Sequence, residues 1–208
     1  MIHIVDYGAG NLTSVYNALA KVGVDSIITN DPIVIANANR IIFPGVGAAG
    51  SSMSRINSLG LDIALKQAIA KGTPVLGICV GSQIILDSSE EDGGVDCLGL
   101  IPGNAKRFLS QPGLKIPHMG WNTVQYLKEH YIFKGIPDGS EFYYVHSFYP
   151  SPLSENNALA TTQYAGINFH CILIKNNLIS TQFHVEKSGE PGLRLLKNFA
   201  SWVPEVAC

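Results

Sequence analysis

The chain has 208 residues, 46% hydrophobic and 14% charged, with a formal net charge of −2. That length supports one well-buried core and a single domain over residues 1–208, the hydrophobic share excludes a disordered chain, and the lack of basic excess argues against nucleic-acid binding. No apolar run is long enough to span a bilayer, and Met1-Ile2-His3-Ile4-Val5-Asp6 lacks the basic start and apolar stretch of a secretory signal, so a cytoplasmic protein free of membranes is expected.

The first half alternates strands and helices. Ile2 to Asp6 reads as a strand running into Gly8-Ala9-Gly10, after which Leu12, Val15, Tyr16 and Leu19 recur at helical spacing until Gly23 stops the helix. Ser26 to Thr29 is a second strand, and Asp31-Pro32 pairs an N-cap with a first-turn proline. Arg40 to Phe43 is a third, breaking at Pro44-Gly45-Val46-Gly47. A helix around Leu61 to Lys71 precedes a Val75–Ile78 strand. This order predicts an α/β fold with a mainly parallel sheet and helices on both faces.

The second half is strand-rich, with candidates at Ala105–Phe108, Thr123–Tyr126, Phe142–His146, Ala158–Tyr164, Cys171–Lys175 and Leu178–Phe183. A closing helix carries Leu193, Leu196 and Phe199, with Ser188 as its cap and Pro191 in its first turns.

Cys79, Cys97, Cys171 and Cys208 form no close pair, and the six histidines have no H-x-x-x-H spacing. Neither a zinc site, a redox dithiol nor a metal hydrolase is expected, and no cofactor is implied. Cys79 differs from the other three because Gly77 and Gly81 flank it at the end of an apolar strand. Such a sequence turns sharply into a helix and projects the residue at the bend. Amides at a helix N-terminus favour anions, and the thiolate is the reactive form of cysteine. Downstream, His184 and Glu186 stand two apart, on one face if the chain is extended, so Glu186 would orient His184 while His184 takes the thiol proton. The predicted triad is Cys79, His184 and Glu186.

A tetrahedral intermediate needs N–H groups aimed at its oxyanion. The turn at Gly45, Val46 and Gly47 and the amide of Val80 are the candidates, although taken alone the glycines only mark a tight turn. Glycine-rich backbone has low-energy alternatives, so these donors are expected to be misaligned at rest. A buried cysteine is ordinarily a small hydrophobe and a lone histidine an ordinary residue, and Cys97, Cys171, Cys208, His3, His130 and His170 are left as such.

The motifs G-x-C-x-G, P-G-V-G and Q-F-H-x-E-K-S, in that order, resemble the triad (class I) glutamine amidotransferases, whose fold is flavodoxin-like. Pro117-His118-Met119-Gly120-Trp121-Asn122 and Tyr143-Tyr144-Val145-His146-Ser147-Phe148 narrow the resemblance to the glutaminase subunits of imidazole glycerol phosphate synthase, and it covers nearly the whole chain. The resemblance implies that Cys79 attacks the side-chain amide of glutamine, that His184 acts as base and then acid, and that Glu186 orients it. It further implies that Gln83 and Glu91 hold the amino-acid head of glutamine, with Ser147 and Phe148 at its carboxylate.

Its implied partner is a (β/α)8 cyclase subunit of the HisF type, which uses the released ammonia, with Asn11, Trp121, Asn122, Tyr144, His146 and Lys187 at or near the interface. Spacing alone favours Trp121 and Tyr144 as core aromatics and Lys187 as a solvated charge. Two positions depart from the family pattern. Val185 stands where proline is usual, and valine in an extended chain is expected to preserve activity. Ser82 replaces a methionine, which puts glutamine affinity in question. Competing readings are a paralogue feeding another synthase such as a sugar-modifying enzyme, a peptidase-like cysteine hydrolase, and a non-catalytic binding subunit.

Overall fold

A computed structural model describes residues 1–8, 10–110 and 113–204. Ala9 and Cys208 lie outside the described residues. The strands are β1 (Ile2–Val5), β2 (Ser26–Thr29), β3 (Ile41–Gly45), β4 (Val75–Cys79), β5 (Ser88–Ser89), β6 (Val95–Asp96), β7 (Gly103–Arg107), β8 (His118–Thr123), β9 (Gln125–Tyr126), β10 (Glu141–His146), β11 (Phe148–Pro152), β12 (Ala158–Tyr164), β13 (Ile167–Lys175) and β14 (Leu178–Thr181). The helices are α1 (Leu12–Lys21), α2 (Pro32–Ala36), α3 (Ala49–Ser58), α4 (Leu61–Ala70), α5 (Val80–Ile84) and α6 (Gly189–Ser201).

The main sheet has the order β2-β1-β3-β4-β14-β13-β12-β9, parallel from β2 to β14 and antiparallel beyond. The parallel part follows the flavodoxin-like order, in which the sense of strand addition reverses between β1 and β3 and ligands settle beyond the carboxyl ends of the strands. Right-handed crossovers then place α1 and α2 on opposite faces. In agreement, α1 packs with α6, while α4 packs with α2 and α3.

β1, β3, β4 and β14 are buried along their whole length, as expected of parallel strands covered on both faces. The edge strand β2 leaves Ile27 and Ile28 exposed. A four-stranded sheet, β11-β7-β5-β6, and a two-stranded ribbon, β10-β8, complete the strand-rich half.

Several expectations are met closely. Asp31 caps α2, its carboxylate accepting from the amides of Ile33 and Val34. β2 and β12 have the predicted ends. Others are corrected. β3 runs through Pro44 to Gly45, because Gly45 pairs with Cys79 at the edge of the site. Helix α3, between Ala49 and Ser58, is not among the expected elements: its sequence is polar and Ser-rich, and its buried face carries only Ala49, Ser52, Met53 and Ile56.

Tyr16 is exposed, and Val15, Ala18 and Leu19 form the buried stripe of α1. Ser188 occupies the N-cap position of α6 without capping it. Its hydroxyl instead donates to the carbonyl of His184 and accepts from the amide of Tyr143.

Candidate active site

Cys79 ends β4 and begins α5 with φ 55° and ψ −109°, a left-handed conformation that L-residues seldom adopt. Neighbouring glycines let the bend close. A Cβ on Gly81 would lie 2.3 Å from the carbonyl oxygen of Phe43, and one on Gly45 would lie 2.7 Å from the amide nitrogen of Gly81. Helix α5 thus rests directly on β3 and sets Cys79 beside the Val46-Gly47 turn. The Ser82 hydroxyl donates to the Cys79 carbonyl at 2.8 Å and fastens the bend from within. The Ser82 side chain thus faces the elbow backbone and is absent from the cavity lining.

His184 follows β14. Its amide donates to the Tyr143 carbonyl, which ties it to the β8–β10 ribbon. Its Nδ1 is 2.8 Å from Oε1 of Glu186, and both side chains are buried. The pair meets through a tight 3-10 turn, Val185–Lys187, rather than through the extended backbone expected from their spacing. Val185 is the fully buried first residue of that turn, a position that also suits proline. Oε1 of Glu186 also accepts a hydrogen bond from the side-chain amide of Asn11.

Nε2 of His184 is buried and makes no hydrogen bond of good geometry among the described residues. Burial pulls the imidazolium down, but the neighbouring Cys79 sulfur and Glu186 carboxylate outweigh it and raise the pKa to about 10. The site thus favours the imidazolium, with one N–H on Glu186 and the other on the side of the Cys79 sulfur. Catalytic hydrogen bonds of unliganded sites are often long and tighten when substrate binds.

A cavity of about 310 Å³ opens above the thiol. Cys79, Val80, His184, Val46 and Gly47 line it, together with Gln83, Glu91, Ser147 and Phe148, with Pro117, Val145 and His146 completing it. Glu91 is half-buried. Its Oε2 accepts from the Ala49 amide at the start of α3 at 2.6 Å, and burial raises its pKa above the ordinary carboxylate value. Gln83 is buried and gives both amide hydrogens away, one to the Phe148 carbonyl at 2.9 Å and one to Oε1 of Gln182 at 3.0 Å. Gly45 lies behind the lining, its part being close packing rather than a wall. A wider groove of about 1270 Å³ between β9, the end of β13 and the end of α6 has no cysteine in its lining.

The structure thus gathers the three triad residues, the candidate oxyanion backbone and all four expected glutamine contacts in one place. It divides the expected interface set. Trp121 is 54% exposed and Lys187 is exposed, whereas Tyr144 is 0% and His146 6% exposed. Tyr144 bonds Thr162 through its hydroxyl at 2.6 Å and stacks on His118, and His146 packs against Phe108 and Phe169. Neither presents a side chain to a partner. Alternation along β10 decides this, because Tyr144 and His146 share the inward face while Tyr143 faces out beside Trp121.

Asn122 is partly exposed and bonds inward, to Gln163 and His118. Asn11 turns to Glu186. Gln182 is a neighbour that sequence reasoning missed: its Nε2 is 3.9 Å from the Cys79 sulfur. Nothing local distinguishes it from any other polar residue near a strand end.

The class-I glutamine amidotransferase family model matches residues 3–202. The chain is 48% identical over 199 residues to the imidazole glycerol phosphate synthase subunit HisH of Dehalococcoides mccartyi strain CBDB1, covering 96% of each chain. It is 47% identical over 207 residues to the HisH subunit of Pseudomonas syringae pv. syringae, covering 97% of each. Among solved structures it is similar in fold to a glutamine amidotransferase (TM-score 0.74, 15% identity, 97% of this chain and 100% of that one) and to PurLQS from Thermotoga maritima (TM-score 0.70, 17% identity, 96% and 97%). The chain belongs to the class-I glutamine amidotransferase family, in its HisH group.

Proposed function

We propose that this chain is the glutaminase subunit of an imidazole glycerol phosphate synthase, acting in the cytoplasm and in histidine biosynthesis. The sulfur of Cys79 attacks the side-chain amide carbon of L-glutamine as its proton rests on Nε2 of His184. The oxyanion is received by the Val80 amide and the backbone of Val46 and Gly47. His184 returns the proton to the departing nitrogen, ammonia leaves, and a glutamyl thioester remains. Water then attacks the thioester with His184 as base, releasing glutamate and restoring the thiol. Glu186 holds the imidazole in orientation throughout. The Glu91 carboxylate pairs with the substrate ammonium, with Gln83 beside it, and the Ser147–Phe148 backbone meets the substrate carboxylate.

Ammonia in neutral water is mostly protonated and non-nucleophilic, so it has to be passed on within a closed path. The partner is a (β/α)8 cyclase of the HisF type, which turns PRFAR into imidazole glycerol phosphate and AICAR. It docks on the exposed face carrying Trp121 and Lys187. Exposed aromatics of this kind serve as interface anchors.

The observation that carries the reading is the single cavity that joins the Cys79 thiol, the His184 imidazole and the Glu91 carboxylate. The test is glutamate release from glutamine, with and without the cyclase and its nucleotide. Slow release by the isolated chain, a rise on adding both, and complete loss in Cys79→Ala are expected. Equal rates for Cys79→Ala and the unmodified chain would refute the mechanism, and indifference to the cyclase would refute the partner.

A further inference from the structure

His118 and His146 are buried, face each other across the β8–β10 ribbon, and have no step in the reaction above. Their hydrogen bonds fix their protons by elimination. Nδ1 of His146 is 2.7 Å from the Phe148 carbonyl, which only accepts, so Nδ1 carries the hydrogen and Nε2 is bare. Nδ1 of His118 is 3.0 Å from that bare Nε2 and therefore donates to it. Nε2 of His118 is then itself an acceptor, met by the Asn122 side-chain amide at 3.2 Å. The other bond of that amide goes to the Gln163 carbonyl at 3.0 Å.

Both rings stay neutral, since burial holds His118 down to about 4 and His146 down to about 3. Stacking keeps them in place: His118 lies between Tyr144 and Tyr164, at 4.8 Å and 3.8 Å between ring centres.

The chain ends on the cavity. Phe148 opens β11 just after the bend at Ser147, and its carbonyl takes two donors, His146 and Gln83. A carbonyl has two lone pairs, so this one is fully held and the bend has little freedom. We propose that Asn122, His118 and His146 form a one-directional hydrogen-bond chain that fixes the Ser147–Phe148 wall of the cavity, making His118 and His146 positioning residues for the amino-acid end of the substrate. This rests on the reading of that cavity as the glutamine site. It also gives Asn122 and His146 a role that needs no contact with a partner.

The test combines kinetics and nitrogen NMR on the full chain, the kinetics with its cyclase bound. His146→Phe keeps the ring packing and removes both bonds. His146→Asn restores a donor near the Nδ1 position. The glutamine KM is expected to rise about tenfold in His146→Phe, with a smaller change in kcat, and to return to within about threefold in His146→Asn. His118→Phe raises KM about threefold. NMR of labelled histidine is expected to show the Nδ1–H tautomer at both rings.

A KM within twofold of the unmodified chain in His146→Phe overturns the proposal, as does equal impairment in the two His146 variants. The Nε2–H tautomer at His146 overturns it irrespective of activity and of whether any variant folds. The expected tautomers in a chain that hydrolyses no glutamine overturn the glutaminase reading instead, and the substrate half of this proposal with it.

Discussion

Adding one methyl group at Gly81 tests whether the elbow's position, rather than its residue types, makes the site. The added Cβ of Gly81→Ala would stand 2.3 Å from the Phe43 carbonyl oxygen, a backbone atom of a buried strand. Ordinary carbon–oxygen contacts begin near 3.3 Å, so α5 has to retreat from β3 by about 1 Å. Helix α5 starts at Val80 and follows Cys79 directly, so this retreat moves both the sulfur and the Val80 amide away from the Val46-Gly47 turn.

A misplacement of about 1 Å costs about 100-fold in rate. Overpacking of this size destabilises by about 1–3 kcal/mol, or about 2–4 °C in melting temperature for each kcal/mol. Gly23→Ala is the control. Gly23 has φ +74° with open space around it and lies far from the cavity, so it takes the left-handed strain of about 1–2 kcal/mol without touching the site. Glutaminase assays with the cyclase, read beside melting curves, are expected to give kcat/KM down about 100-fold in Gly81→Ala and unchanged in Gly23→Ala. A folded Gly81→Ala chain within threefold of the unmodified rate would refute the argument from close packing.

Glu186→Gln removes the carboxylate that helps to hold His184 protonated. The pKa of His184 is expected to fall from about 10 toward its ordinary value, visible by NMR titration, with kcat down about 100-fold or more. An unmoved His184 titration would show that Glu186 is not its partner in solution. The raised pKa also fixes the sign of a pH effect. The His184 contribution to stability is whole below about pH 6.5, its unfolded value, and fades as pH rises toward about 10, so unfolding midpoints of the unmodified chain should decline across that window and those of Glu186→Gln should decline less. Trp121→Ala removes an exposed ring, so the fold is expected to keep its melting temperature while affinity for the cyclase drops about 30-fold by calorimetry. Affinity within threefold would move the interface elsewhere.

The parallel strands are legible in the amino-acid pattern, since a strand buried on both faces has to be apolar along its length, as Ile41–Phe43 and Val75–Ile78 are. Cys79 as the residue at the bend is equally legible there, because only small neighbours such as Gly77 and Gly81 permit so sharp a turn. So is the closeness of His184 and Glu186, although a tight turn rather than an extended chain brings them together.

Contacts between partners distant along the chain were settled by the three-dimensional fold alone. The sequence holds no trace of Asn11 meeting Glu186, of Gln182 approaching the sulfur, or of Glu91 receiving the start of α3, because each contact depends on loops from separate strands converging at one sheet edge. Tyr144 and Trp121 look alike as motif aromatics, and the pleat of the β8–β10 ribbon buries one and exposes the other. The same pairing brings His118 to His146, which stand 28 positions apart. Local pattern fixes each element, and register between elements fixes the site.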